Sequence, residues 1–133
     1  MIKNPKPLLS FRIYCSQKSK LYYEVRVYDK LADLRAVTGF KECLGACTYI
    51  YGIKLNPPKT NKIGIIWLER KHLGSEIVSH ECVHAACGYL DRKGIKSLET
   101  GDVSGDHGEE LAYAVGYMTS RIYAKLYKSK ILD

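Results

Sequence analysis

The stretch His80-Glu81-Cys82-Val83-His84 places two imidazoles four residues apart, with a carboxylate between them. On an α-helix, residues i and i+4 lie one above the other on the same face, so both imidazoles can reach one metal ion. Glu81 lies on the adjoining stripe of the same helix. Two imidazole ligands beside a carboxylate suit a zinc ion with a general base next to it. The alternative is an ordinary core helix that carries two histidines.

The residues around this stretch predict a half-buried helix from about residue 75 to residue 90. Glu81 is the only Asp, Glu, Lys or Arg between Ile77 and Cys87, as expected where an unpaired charge would be costly. Gly74 precedes the predicted first turn and is suited to a helix start. Gly88 continues the histidine stripe without a side chain, so we expect a second helix to approach closely there.

A second helical pattern downstream opens with two acids, Glu109 and Glu110. Catalytic zinc usually takes three protein ligands and leaves one position for water. Glu109 shares its stripe with the small residues Ala112 and Gly116, which are expected to pack against Gly88 of the first helix. This pattern favours Glu109 over Glu110 as the third ligand. The alternative is that both acids simply stabilise the first turn of their helix through its dipole.

His-Glu-x-x-His-Ala on one helix, followed by Glu-x-Leu-Ala-Tyr at the start of the last helix, resembles the small zincin-type metallopeptidases encoded by phages and prophages. The resemblance covers about residues 63–123. It implies a zincin-like fold that binds Zn²⁺ and hydrolyses peptide bonds. It also implies a role for each matching residue: His80, His84 and Glu109 as zinc ligands and Glu81 as the catalytic base.

The chain departs from that family pattern in two places. Glu110 is a second acid next to the expected ligand, and residues 99–106 form a polar insertion. The tetrahedral oxyanion of peptide hydrolysis needs a donor besides the metal. Tyr113, one turn beyond Glu109, is the predicted donor, and His107 and His72 are the alternatives.

Strands predicted in the first half of the chain and helices in the second half indicate an α+β fold. Alternation predicts a hairpin around residues 11–27 and further strands at residues 44–53 and 63–68, and a short helix is expected to end at Gly39. The last two helices are expected at residues 75–90 and 108–129. We therefore predict a small, twisted, mostly antiparallel sheet with helices packed on one face. The resemblance to zincins implies that the strand before the histidine helix, residues 62–69, lines the substrate cleft and that its exposed edge pairs with an extended peptide.

Size and composition indicate one domain, residues 1–133, because 133 residues with 46% hydrophobic content can bury a single core. No apolar run approaches the length of a membrane span, and no secretory signal is recognised, so no membrane association is expected. The expected compartment is the cytosol, or the host cytosol for a phage protein. Five cysteines without a Cys-x-x-Cys pair predict reduced thiols, mostly packed in the core.

The net charge of +7 raises the question of nucleic-acid binding. Arg121, Lys125 and Lys128 form one basic stripe on the last helix, and we interpret it as a solvated helix face. Non-specific contact with nucleic acid is allowed but not favoured. The second hypothesis for the whole chain is a zinc-stabilised, catalytically silent zincin-fold protein. Such a protein would bind or inhibit a partner, which could include nucleic acid contacted through this basic helix.

Overall fold

The computed structural model describes residues 4–49, 60–95 and 106–132, with the backbone alone at residues 106 and 107. Within these ranges the chain forms four strands and three helices. They are, in chain order, β1 (Leu9–Tyr14), β2 (Tyr22–Tyr28), α1 (Leu31–Thr38), β3 (Gly45–Tyr49), β4 (Lys62–Glu69), α2 (Ser75–Arg92) and α3 (Asp106–Lys128). The end of the strand predicted at residues 44–53 and most of the polar insertion at 99–106 lie outside the described residues.

The four strands form one sheet in the order β1-β2-β4-β3. β1 and β2 make the predicted antiparallel hairpin, β2 and β4 run parallel, and β3 pairs antiparallel with β4. The predicted α+β class and the mostly antiparallel sheet are therefore confirmed. The expectation that strand 62–69 offers an exposed edge is wrong, because β4 pairs on both sides and the edge strands are β1 and β3.

Helices cover both faces of the sheet, which differs from the expected single covered face. Successive strand residues point to opposite faces, so Val27 and Tyr28 of β2 enter different hydrophobic clusters. Val27 belongs to the main core with α2 and α3. Tyr28 packs on the opposite face with Leu34 of α1 and Trp67 of β4. A short amphipathic helix such as α1 gives little sequence indication of which face it will cover.

Helix α2 approaches the sheet most closely at Gly88. A Cβ atom at this position would lie 2.4 Å from Tyr23 Oη and 2.5 Å from Tyr49 Cγ. Tyr23 also donates a hydrogen bond of 2.8 Å to the carbonyl oxygen of Ala85, one turn earlier on α2. Gly88 therefore lets the helix lie against the tyrosines of the sheet. The expectation that this glycine faces the last helix is wrong.

Helix α3 packs on α2 and the sheet through a stripe of larger apolar residues. Ala114, Met118, Ile122 and Leu126 recur every four residues and are buried. This stripe removes more apolar surface from water than the small-residue stripe of Gly116 could, and burial is roughly proportional to that area. A Cβ atom at Gly116 would accordingly meet nothing within 4 Å.

The helix ends lie close to their predicted positions. α1 ends with Gly39 in the left-handed conformation (φ 77°), which glycine adopts without strain. All five cysteines are free, as predicted, although only Cys15 and Cys82 are fully buried. Among the described residues, no helix combines the length and the apolar character needed to cross a bilayer.

Alanine substitutions at the two helical glycines, Gly88 and Gly116, are expected to change stability in opposite directions. Gly88→Ala should lower the free energy of unfolding by about 1–3 kcal/mol, because the added methyl group forces Tyr23 and Tyr49 to move. Gly116→Ala should raise it by roughly 0.5–1 kcal/mol, because alanine is the better helix former and space is open there. Urea unfolding of both variants measures the difference. Equal effects would show that α2 does not lie against the sheet as described.

A polar cluster on β2 centres on Glu24. Its carboxylate accepts hydrogen bonds from Arg26, from Lys62 Nζ at 2.7 Å and from Ser10 Oγ at 3.1 Å. The pKa of Glu24 falls to about 2, mainly because of the hydrogen bond from Arg26, while partial burial opposes the shift. A carboxyl whose pKa is depressed by folding stabilises the fold above its ordinary pKa, and the stabilisation is lost as the pH falls.

Glu24→Gln is therefore expected to destabilise the protein at neutral pH and to lose this effect in acid. We expect the free energy of unfolding to fall by about 1 kcal/mol at neutral pH. The effect is small because the side chains of Glu24, Arg26 and Lys62 are 25–33% exposed and solvent screens their pairing. The difference between variant and wild type should shrink as the pH falls from 4.5 toward 2. Unfolding curves of both proteins across this range test the effect, and a pH-independent difference would contradict it.

Candidate metal centre

Helix α2 places His80 and His84 on one exposed stripe, one turn apart. Their ring centroids are separated by 5.0 Å and the ring planes are inclined at 74°. One ligand atom from each imidazole and one carboxylate oxygen of Glu81 all lie within 4.8 Å of one another. The structure thus brings together the three residues of the central motif. Within the described residues, no other group of three or more such side chains meets the same distance limit.

Glu81 is the inward member of this group and is only 7% exposed. Burial raises the pKa of its carboxyl above the ordinary value, and the neighbouring His80 and His84 act in the opposite direction. A raised pKa gives a carboxylate that accepts protons more readily than a solvated one. The side chain therefore combines proximity to both imidazoles with the properties of a general base.

Strand β3 lies directly against Glu81 at Gly45. A Cβ atom at Gly45 would lie 3.4 Å from Glu81 Oε2 and 3.2 Å from Ile77 Cγ2. A larger side chain at this position would push against the carboxylate. The absence of a side chain at residue 45 therefore lets the edge strand of the sheet approach the proposed base.

A cavity of about 480 Å³ opens beside the histidines, between the start of β3 and the first half of α2. The carboxylate of Glu81 and the imidazole of His80 form part of its wall. The described residues that line it are Cys43, Leu44, Gly45, Glu76, Ile77, His80 and Glu81. The contribution of β3 to this wall was not predicted from the sequence. The alternation around residue 45 predicts a strand, but nothing in the sequence indicates that it contacts α2.

Helix α3 does not bring Glu109 or Glu110 to this group. Glu110 forms a salt bridge of 3.0 Å with Lys93, which follows α2. Lys93 comes nine residues after His84, or about 13 Å farther along a helix axis. Glu109 is exposed and does not join His80, Glu81 and His84 in the metal-capable group. Glu109 as the third ligand stays a prediction from the resemblance.

The candidate oxyanion donors also lie outside the group. Tyr113 is 74% exposed and lines a different cavity, together with Tyr89 and Lys93. His72 Nδ1 is hydrogen-bonded to the buried carboxylate of Glu69. The side chain of His107 is outside the described part of the chain. Of the two candidates whose side chains the structure describes, Tyr113 and His72, neither lines the cavity beside Glu81.

Comparisons with protein-family models, with curated proteins and with solved structures found no match to this chain. The geometry of the chain itself is therefore what indicates a function. That geometry consists of two imidazoles, one buried carboxylate and an edge strand beside it.

Zinc binding is expected to depend on His80 and His84 and not on histidine content in general. Wild-type protein loaded with Zn²⁺ and then dialysed should retain one ion per chain. His84→Ala should lose it, because a single imidazole cannot hold the ion. His72→Ala is the matched control, since His72 pairs with Glu69, and should retain the metal. Metal analysis by mass spectrometry measures each protein. Equal and negligible zinc in wild type and His84→Ala would contradict the prediction.

The same measurement on Glu109→Ala and Glu110→Ala tests the third ligand implied by the resemblance. Loss of zinc affinity in Glu109→Ala but not in Glu110→Ala would support Glu109 as the third ligand. A larger loss at Glu110 would favour the neighbouring acid and a helix rotated by about 100°. Unchanged affinity in both variants would remove α3 from the ligand set.

Proposed function

We propose that this chain is a zinc-dependent peptidase whose general base is Glu81. The observation that carries the proposal is the convergence of two imidazoles and a buried carboxylate within 4.8 Å. This donor set fits a zinc ion, because imidazole nitrogen and carboxylate oxygen are both common zinc ligands. His80 and His84 would hold the ion from the exposed stripe of α2. A bound ion would supply the Lewis acidity that activates water near neutral pH.

Glu81 would accept a proton from the attacking water and then donate it to the leaving amine. General-base catalysis requires a group whose pKa lies close to the working pH. Burial moves the pKa of Glu81 in that direction. The side chain faces Gly45 and the cavity and is only 7% exposed. A base with little solvent around it is well suited to retain a transferred proton until the amine leaves.

The edge strand β3 is the expected binding surface for the substrate backbone. β3 is the last strand of the sheet order, and the side away from β4 has no partner strand among the described residues. An extended peptide can add to such an edge through main-chain hydrogen bonds, with little dependence on sequence. Gly45 would bring that peptide next to Glu81. Peptides and unfolded proteins are therefore the proposed substrates.

The second candidate function is a zinc-stabilised protein that binds a partner without catalysis. The observation that favours it is the exposed position of Glu109: without it, the described residues do not supply the three protein ligands that a catalytic zinc site usually has. A structural role needs metal ligands but no proton acceptor, so the two candidates differ in what they require of Glu81.

Glu81→Gln is expected to keep the fold and the metal but to lower peptide hydrolysis by roughly 10²–10⁴-fold, because an amide cannot accept the proton. Glu76→Gln is the matched control, since Glu76 lines the same cavity one turn before His80. Cleavage of an unfolded protein or of a quenched peptide library, in zinc-loaded samples, provides the measurement.

Near-wild-type turnover by Glu81→Gln would show that Glu81 is not the base. A wild-type protein that holds zinc but cleaves no substrate in the screen would favour the binding protein. Equal losses in Glu81→Gln and Glu76→Gln would indicate a general effect on the cavity and would also count against a specific base.

A further inference from the structure

The second face of the sheet has an end, far from α1, that no helix of the described residues covers. Side chains of β2 alternate, so Tyr23 and Val25 point into the main core while Tyr22 and Glu24 point to the other side. Helix α1 covers that other side near Tyr28, in a cluster that does not include Tyr22 or Glu24. We name the remaining surface the tyrosine–arginine face; it consists of Arg12, Tyr14, Tyr22, Glu24, Arg26 and Lys62.

Two neighbouring tyrosines lie on this face at the turn end of the hairpin. Tyr14 of β1 and Tyr22 of β2 are directly opposite each other in the hairpin register. Their ring centroids are 6.0 Å apart with the planes at 64°, and Tyr14 is 41% exposed. The guanidinium carbon of Arg12 lies 3.9 Å from the centre of the Tyr22 ring. The face thus presents aromatic planes and a stacked guanidinium side by side.

Cations outnumber acids on this face. Arg12, Arg26 and Lys62 surround a single carboxylate, Glu24, which pairs with the last two. Arg12 has no ion-pair partner within residues 4–49, 60–95 and 106–132. The turn that joins β1 to β2 adds two exposed lysines, Lys18 and Lys20. The face is therefore positively charged next to the exposed ring of Tyr14 and the half-buried ring of Tyr22.

We propose that the tyrosine–arginine face binds single-stranded nucleic acid. Unpaired bases would stack on Tyr14 and Tyr22, and Arg12 and the neighbouring lysines would contact phosphates. Surfaces that bind single strands without sequence preference combine these two features, because every base has a planar face and every nucleotide a charge. The proposal is independent of the metal centre, which lies on α2 beyond the opposite face of the sheet.

The same features disfavour two other polyanions. The bases of a duplex are already stacked on one another, so a duplex could use the cations of this face but not its tyrosines. An acidic peptide has carboxylates for the cations but no planar bases for the rings. Preference for a single strand over both is thus the property that distinguishes stacking from simple charge attraction.

The basic stripe of α3 provides a matched control surface. Arg121, Lys125 and Lys128 are exposed, and the Arg121 guanidinium lies 4.9 Å from the centre of the Tyr117 ring. This surface also has three cations and one arginine–tyrosine contact. They lie on one exposed face of a single helix and not on a sheet. If net charge alone decided binding, neutralising this stripe would weaken nucleic-acid binding as much as altering the tyrosine–arginine face.

The test is a fluorescence anisotropy titration of the whole chain with a labelled oligothymidylate and with a duplex of equal length, near physiological salt. We expect the single strand to bind more tightly than the duplex. Tyr14→Leu and Tyr22→Leu should each weaken its binding about tenfold, whereas the phenylalanine variants, which keep the ring, should bind like wild type. Removing the three α3 charges together should weaken binding of the single strand less than either leucine substitution does. Circular dichroism of each variant confirms that it is folded.

Several outcomes would overturn the proposal. These are equal affinity for the duplex, a loss confined to the α3 variant, and unchanged binding by folded leucine variants. Polyglutamate that competes as well as unlabelled oligothymidylate would identify an acidic protein surface as the partner instead. No measurable binding by the wild-type chain would also contradict it.

Discussion

The close approach of α2 to the sheet is the constraint on which the rest of the structure depends. Gly88 allows it, because any side chain there would meet the rings of Tyr23 and Tyr49. The hydrogen bond from Tyr23 to Ala85 O then fixes the helix along its axis. With the rotation of α2 set in this way, Glu81 must point toward β3, and the two histidines must lie on the stripe that neither the sheet nor α3 covers.

The position of α3 follows from a competition between two stripes of the same helix. The stripe of small residues around Gly116 would allow a closer approach, whereas the stripe of Met118, Ile122 and Leu126 removes more apolar surface from water. The larger stripe is buried. As a result, the acids at the start of α3 lie near the end of α2 and away from its histidines, and Lys93 pairs with Glu110.

Local features of the fold and the site could be predicted from the sequence, whereas their long-range arrangement could not. Helical spacing within five residues was enough to predict the group of His80, Glu81 and His84. Alternation and the glycine at residue 39 were enough to predict the hairpin and the end of α1. The contact of Gly45 with Glu81 and the edge position of β3 depend on strand order. Strand order is decided by packing between residues far apart in sequence, so these features were missed.

The strand order also determines when the sheet can be completed. β3 pairs only with β4 among the described strands, and β4 inserts between β2 and β3 although it is the last strand in the chain. A nascent chain that ends before residue 62 can form the β1–β2 hairpin but offers β3 no partner strand. The sheet must therefore wait for β4, whose parallel pairing with β2 closes a long loop and is an intrinsically slow step. During synthesis, the strand that borders the candidate metal centre is thus among the last parts of the sheet to form.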